Sequence, residues 1–99
     1  MRISSQTMAV LQVLKGNGRT WTYGYELSRV TRLKSGTLYP ILMRLHDEGW
    51  LESKWEQSAE AGRPPRHLYR LTAIGSSAAS RVSKTAASKT RAQQLAYET

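Results

Sequence analysis

The chain has no cysteine among its 99 residues, which excludes a disulfide framework, a thiolate nucleophile and a zinc site built on sulfur. Acidic residues are scarce. Seven Asp plus Glu stand against fifteen Lys plus Arg, a formal net charge of +8, and the first partner such an imbalance suggests is a polyanion. No window approaches the ~18 consecutive apolar residues of a spanning helix, and Met1-Arg2-Ile3-Ser4-Ser5 carries no apolar signal core. A cytoplasmic protein with no membrane partner is expected. Catalytic signatures are missing as well: there is no Gly-x-Ser-x-Gly elbow, no Ser-x-x-Lys motif with partners and no phosphate-cradling glycine loop. His46 and His67 have no second ligand at metal spacing, and Asp47 and Glu48, adjacent on a helix, diverge by about 100°. No metal, no cofactor and no enzymatic activity are expected.

What is present is periodic. Ser4 or Ser5 caps a first helix with Met8, Val10, Leu11 and Leu14 on one face, stopped by Gly16-Asn17-Gly18. Trp21-Thr22-Tyr23 alternates as a minor strand. Gly24 to Val30 reads as a second helix with Tyr23, Leu27 and Val30 turned inward, and Arg29, Arg32 and Lys34 gather near its C-terminal end. Ser35 is the expected cap of a third helix, whose Leu38, Ile41, Leu42 and Leu45 follow the i, i+3, i+4, i+7 spacing of a buried face. Pro40 falls about one turn in, and Gly49 supplies the left-handed stop.

Leu51, Ser53 and Trp55 alternate with charged residues as a half-buried strand, and His67, Tyr69 and Leu71 form its partner. The irregular stretch from Gln57 to Arg66 is then a hairpin tip. Thr72 caps a last helix with a thin stripe of Ile74, Ala78, Val82 and Ala86, too sparsely apolar to hold itself up alone. Trp21, Trp50 and Trp55 read as core or core-edge residues rather than base-stacking platforms.

The third helix opens with Ser35, Gly36, Thr37 and Tyr39, residues with hydroxyls or no side chain. Such an end can approach a groove closely and offers the positive pole of the helix dipole to phosphate. Arg44 lies on its polar side. Arg63 and Arg66 bracket two prolines that stiffen the hairpin tip, placing two guanidinium groups at low entropic cost. A capped helix, a strand and a basic tip in that order make a winged helix-turn-helix.

Tyr23-Gly24-Tyr25-Glu26-Leu27, Ser35-Gly36-Thr37-Leu38-Tyr39-Pro40-Ile41-Leu42 with Arg44-Leu45, Glu48-Gly49-Trp50-Leu51, Gly62-Arg63-Pro64-Pro65-Arg66 and Tyr69-Arg70-Leu71-Thr72 resemble the PadR family of transcriptional regulators over roughly residues 5 to 75. The resemblance implies an α+β, mostly α fold: a winged-helix domain over residues 1–72, with three helices and a two- or three-stranded wing sheet, and a C-terminal dimerisation helix over residues 73–99. It implies a homodimer that binds double-stranded DNA at a pseudo-palindromic operator, usually as a repressor of stress-response, detoxification or efflux genes. By position, Lys34, Ser35, Gly36, Thr37, Tyr39 and Arg44 would serve the recognition helix, Arg63 and Arg66 the wing, and Tyr23 and Arg32 the second-helix region. Ile74, Ala78, Val82 and Ala86 would serve the dimer. Some relatives also bind planar aromatic effectors between the domain and the dimer helix.

The chain departs from that pattern after Ala73, where leucines and aromatics are sparse and Tyr97 is the only ring. Two other readings stay open on the sequence: a winged-helix module that binds protein, against which the basic wing argues, and an architectural protein that binds DNA without site preference.

Overall fold

The computed structural model describes residues 3–57, 62 and 65–82. Helix α1 (Ser5–Gly16) starts at Ser4, whose Oγ accepts from the Thr7 amide at 3.1 Å and lies 3.0 Å from the Thr7 hydroxyl. That local exchange lets Thr7 be buried with Val10, Leu11 and Leu14, while Met8, expected on this face, is only half-buried. After β1 (Thr22–Tyr23), α2 (Gly24–Thr31) buries Gly24 and Leu27. Val30, expected to point inward, is 49% exposed, because the inward arc of the helix runs through Gly24, Leu27, Ser28 and Thr31 and Val30 lies to its side.

The turn from α2 to α3 is stitched by side chains. Thr31 Oγ1 donates to the Leu27 carbonyl at 2.6 Å, and Ser28 Oγ donates to the Leu33 carbonyl at 2.7 Å. Arg32 ends α2 at φ 61°, a left-handed conformation that an L side chain adopts only under constraint. Helix α3 (Ser35–Asp47) buries Leu38, Ile41, Leu42 and Leu45 as its spacing requires, and Gly49 follows at φ 78°.

Strands β2 (Leu51–Glu56) and β3 (Arg66–Leu71) pair antiparallel from Leu51 opposite Leu71 to Glu56 opposite Arg66. β1 adds to the other side of β3, so the three-stranded sheet has the order β1-β3-β2. The central strand is buried on both faces: Tyr69 and Leu71 join the core shared by the helices, and Leu68, between Tyr23 and Lys54 on the outer face, is only 3% exposed. Trp21 half-covers that face beneath the cations of Arg70, at 4.1 Å, and Lys54, at 4.7 Å. Glu52 ties Arg70 and Arg19 together there.

Residues 73–82 form a fourth helix, α4. Thr72 caps it as expected: its Oγ1 accepts from the Gly75 amide at 3.0 Å and donates to the Gly49 carbonyl at 2.7 Å, while its own amide bonds the Trp50 carbonyl at 3.0 Å. Gly75 lies so close to that turn that a Cβ there would sit 1.9 Å from the Trp50 oxygen. Ala78 and Ala79 are each 1% exposed. The first turns of α4 are therefore part of the same packed body as α1 and the sheet. Among the described residues no helix is long and apolar enough to cross a membrane.

Candidate nucleic-acid interface

Helix α3 begins one residue earlier than its sequence suggests: Lys34 is the N-cap, Ser35 is the first helical residue, and no side chain caps the helix. The Lys34 carbonyl instead collects the amides of Thr37 and Leu38 at 2.9 and 2.8 Å. The correction bears on chemistry. The Ser35 hydroxyl is not used up in a cap, and the uncapped end presents the positive pole of a thirteen-residue helix to its surroundings.

Lys34, Ser35 and Gly36 are exposed, Thr37 is half-buried, and nothing lies within 4 Å of where a Gly36 Cβ would be. Pro40 has no amide hydrogen to give the Gly36 carbonyl one turn earlier. Tyr39, at 40% exposure, lies one turn along near the start of α2: Gly24 is buried beneath its hydroxyl, which a Cβ on Gly24 would approach to 2.9 Å. Arg32 and Arg44 are exposed, and neither they nor Lys34 form an ion pair among the described residues. Arg29 differs, because it is bound to Glu26, and that contact holds the Glu26 carboxyl below its ordinary range.

Tyr23 has other work than its sequence position suggests. Its hydroxyl donates to Glu56 at 2.9 Å, its ring stacks on Tyr25 at 5.3 Å, and Arg66 lies over it at 5.5 Å. The residue that faces outward is Tyr25, 58% exposed. Of the two wing arginines, Arg66 is fixed at the start of β3 over Tyr23, and Arg63 lies outside the described residues. Of the four dimer candidates, Ile74 is 65% exposed and Val82 half-buried, but Ala78 is packed into its own domain and so is unable to meet a partner. Ala86 lies outside the described residues.

Trp55 overturns its expected place in the core. It is 62% exposed, because the β2–β3 ribbon runs beyond the helical layer and leaves the last inward positions uncovered. Its ring lies flat on His67, its register partner, with centroids 4.1 Å apart and an interplanar angle of 15°. His67 in turn meets Tyr69 at 4.4 Å, and the Tyr69 hydroxyl is 2.8 Å from His67 Nδ1. Burial, and less so the neighbouring His46, pushes the His67 imidazole below its ordinary pKa; burial, with Tyr39, pushes Tyr69 up to about 12. Tyr69 therefore stays a phenol, and its hydroxyl and His67 Nδ1 share one hydrogen bond whose donor is set by the His67 tautomer.

Two open clefts flank this ring stack where α3 faces the ribbon. One, of about 310 Å³, has Tyr25, Tyr39, Trp55 and Arg66 on its walls; the other, of about 320 Å³, lies between Tyr39, Met43 and His46 of α3 and Ser53, His67 and Tyr69 of the sheet. Sequence reasoning missed Tyr25, Met43, Trp55 and His67 as surface residues of one face. The available signal was the hairpin register, which sets Trp55 opposite His67.

This geometry, an exposed helix end beside a basic ribbon, has close counterparts. The profile of the Transcriptional regulator PadR-like family matches residues 10–81. A PadR family transcription regulator from Clostridium difficile R20291 superposes with a TM-score of 0.72 at 23% identity, over 93% of this chain and 99% of that one. Smu.1704 from Streptococcus mutans gives 0.69 at 26% identity, over 91% and 85% of the two chains. PcaV from Streptomyces coelicolor, a transcriptional regulator crystallised with its natural ligand, gives 0.76 at 23% identity, and this chain spans only 61% of its length. A comparison with curated proteins returns no match. With the family profile covering most of the chain and the winged-helix architecture in place, the chain belongs to the PadR-like family of transcriptional regulators.

Proposed function

We propose that this protein is a sequence-specific, double-stranded DNA-binding repressor that acts in the cytoplasm as a homodimer on a pseudo-palindromic operator. The observation that carries the reading is the uncapped start of α3, with Lys34, Ser35 and Gly36 exposed and Thr37 half-buried just after the exposed Arg32, while Arg66 of the wing shares a cleft with Tyr39 of the same helix. The Ser35 and Thr37 hydroxyls offer hydrogen bonds to base edges in a major groove, and the cations and helix pole hold phosphates. Arg44, farther along the helix, meets the backbone. Arg63 joins Arg66 in the wing.

Two copies would present their recognition helices about one helical turn apart. Residues 1–72 form the DNA-binding unit and residues 73–99 carry the partner contact, with Ile74 exposed on α4, Val82 half-buried on it, and Ala86 as a further contact residue. Repression follows from occupying the operator. A small aromatic effector is the release signal of this repressor.

The test is a fluorescence-anisotropy titration against DNA upstream of the protein's own gene and a shuffled control, at two salt concentrations. Preference for the upstream DNA by a factor on the order of 10³ supports the proposal. Equal, steeply salt-dependent binding to both overturns site specificity, and absence of binding at low salt overturns the DNA reading. Sedimentation of the Ile74→Asp variant tests the dimer, which should dissociate.

A further inference from the structure

The outward side of α3 is fixed by the side that is buried. Leu38, Ile41, Leu42 and Leu45 hold the helix to the core. With about 100° between successive residues, the line opposite them runs through Gly36, Pro40, Met43 and Asp47, at i, i+4, i+7 and i+11. All four are exposed, Met43 to 67%, and Gly36 has open space where a Cβ would stand. From the uncapped end to Met43, the most prominent line of the helix therefore presents a hydrogen atom, a pyrrolidine ring and a thioether. None of these donates a hydrogen bond, and the thioether sulfur is only a weak acceptor.

That composition limits how the helix can read bases. Guanine is read by the paired donors of Arg or Lys, and adenine by the amide of Asn or Gln. Helix α3 contains no Asn, Gln or Lys, and its one arginine, Arg44, lies to the side of this line. Ser35 and Thr37 flank the line, and a hydroxyl bonds donor or acceptor alike. What an apolar side chain recognises on a base edge in the major groove is the C5 methyl of thymine.

Charge selects nucleic acid rather than protein as the cover of this apolar line. The chain has a net charge of +8, and Arg32, Lys34 and Arg44, close to the line in sequence, form no ion pair among the described residues. Asp47 ends the line with a charge that repels phosphate, so the part of the helix suited to a groove is the part before it. We propose that Met43, with Pro40 beside it, reads thymine through contact with the C5 methyl, and that each operator half-site carries thymine where the middle of α3 crosses the major groove. The flexible thioether closes on a methyl by dispersion and loses that contact over the bare C5 hydrogen of uracil. This assignment rests on the DNA-binding function proposed above and adds a base to it.

In the test, the full chain selects its site from a random-sequence pool of duplexes, and each thymine of that site is then replaced singly by uracil in anisotropy titrations at one salt concentration. Uracil keeps the pairing and every hydrogen-bonding group of thymine and lacks the methyl alone. The parent protein should lose about fourfold in affinity at the thymine facing Met43, the worth of one buried methyl. Met43→Ala should bind the thymine site more weakly and be indifferent to that replacement, while Met43→Leu, equally apolar, should keep the preference. Met43 is exposed, and unchanged circular dichroism confirms that both variants fold. Site-specific binding that tolerates every uracil, or a selected half-site without thymine, overturns the methyl reading and leaves the DNA-binding function standing. A uracil effect of equal size in the parent and in Met43→Ala removes Met43 from base readout. No selected site and no binding at low salt overturns the DNA reading and this assignment with it.

Discussion

Replacing Gly75 by Ala sets two physical effects against each other, and the structure fixes which is larger. In an ordinary exposed helix the change removes glycine's excess backbone entropy and stabilises by about 0.5–1 kcal/mol. Here the new methyl would lie 1.9 Å from the Trp50 oxygen and 2.7 Å from its carbonyl carbon, and both are backbone atoms that cannot swing aside. Reaching ordinary contact at 3.4 Å requires a shift of about 1.5 Å. The hydrogen bonds that seat α4, from the Thr72 amide to Trp50 and from the Thr72 hydroxyl to Gly49, resist it and are worth about 1 kcal/mol each. Overpacking of this kind costs about 1–3 kcal/mol, so the net expectation is a loss of about 1–2 kcal/mol. Urea unfolding followed by tryptophan fluorescence, at one protein concentration for all variants, measures it. Gly36→Ala is the internal control, since nothing lies within 4 Å of its added methyl, and its midpoint should stay or rise slightly. A Gly75→Ala midpoint equal to or above that of the parent would refute the seating of α4 on the Trp50 turn.

Arg66→Ala should weaken binding to all DNA sequences and lower the salt slope by about 1, because it removes one phosphate contact; an unchanged slope would place Arg66 off the backbone. Thr37→Ala should instead narrow the difference between operator and shuffled DNA, read by the same titration, and an equal loss on both would exclude it from base readout. Arg32→Asn should raise stability by a few tenths of a kcal/mol up to about 1 kcal/mol, since asparagine tolerates the left-handed backbone better, while weakening DNA binding. His67 has a depressed pKa in the folded protein, so its contribution to stability is complete above its ordinary value of 6.5 and declines as pH falls below that, where the unfolded chain takes the proton more readily. His67→Gln should flatten the decline in a series of urea midpoints across that window, and an unaltered profile would show that His67 does not drive it.

The parts legible in the sequence are those where one element's own pattern decides the outcome. Leu38, Ile41, Leu42 and Leu45 name the buried face of α3 whatever packs on it, and Gly49 and Thr72 act within a turn of themselves. The start of α3 was misjudged by one residue because a serine's preference for the cap is worth about 1 kcal/mol, less than the shape of the stitched turn from Thr31 to Lys34 imposes. Val30, Ala78 and Trp55 failed for a different reason. Each was placed by residue type and spacing, yet burial depends on whether a neighbour reaches that position, and nothing local to α2, α4 or β2 states how far the neighbour extends.

Trp55 shows why such failures concentrate at the binding face. An indole on the inward side of a strand belongs to the core unless the strand outruns the helices, and a wing has to outrun them to reach DNA. The length that makes the ribbon useful therefore uncovers Trp55 and leaves His67 half-buried, while α3 leaves Tyr39 and Met43 exposed on the facing wall. Apolar side chains left exposed on two elements that diverge for one purpose make a cleft between them. Sequence periodicity holds each wall separately; only the pairing of Trp55 with His67, fixed by the hairpin register, joins them into a site.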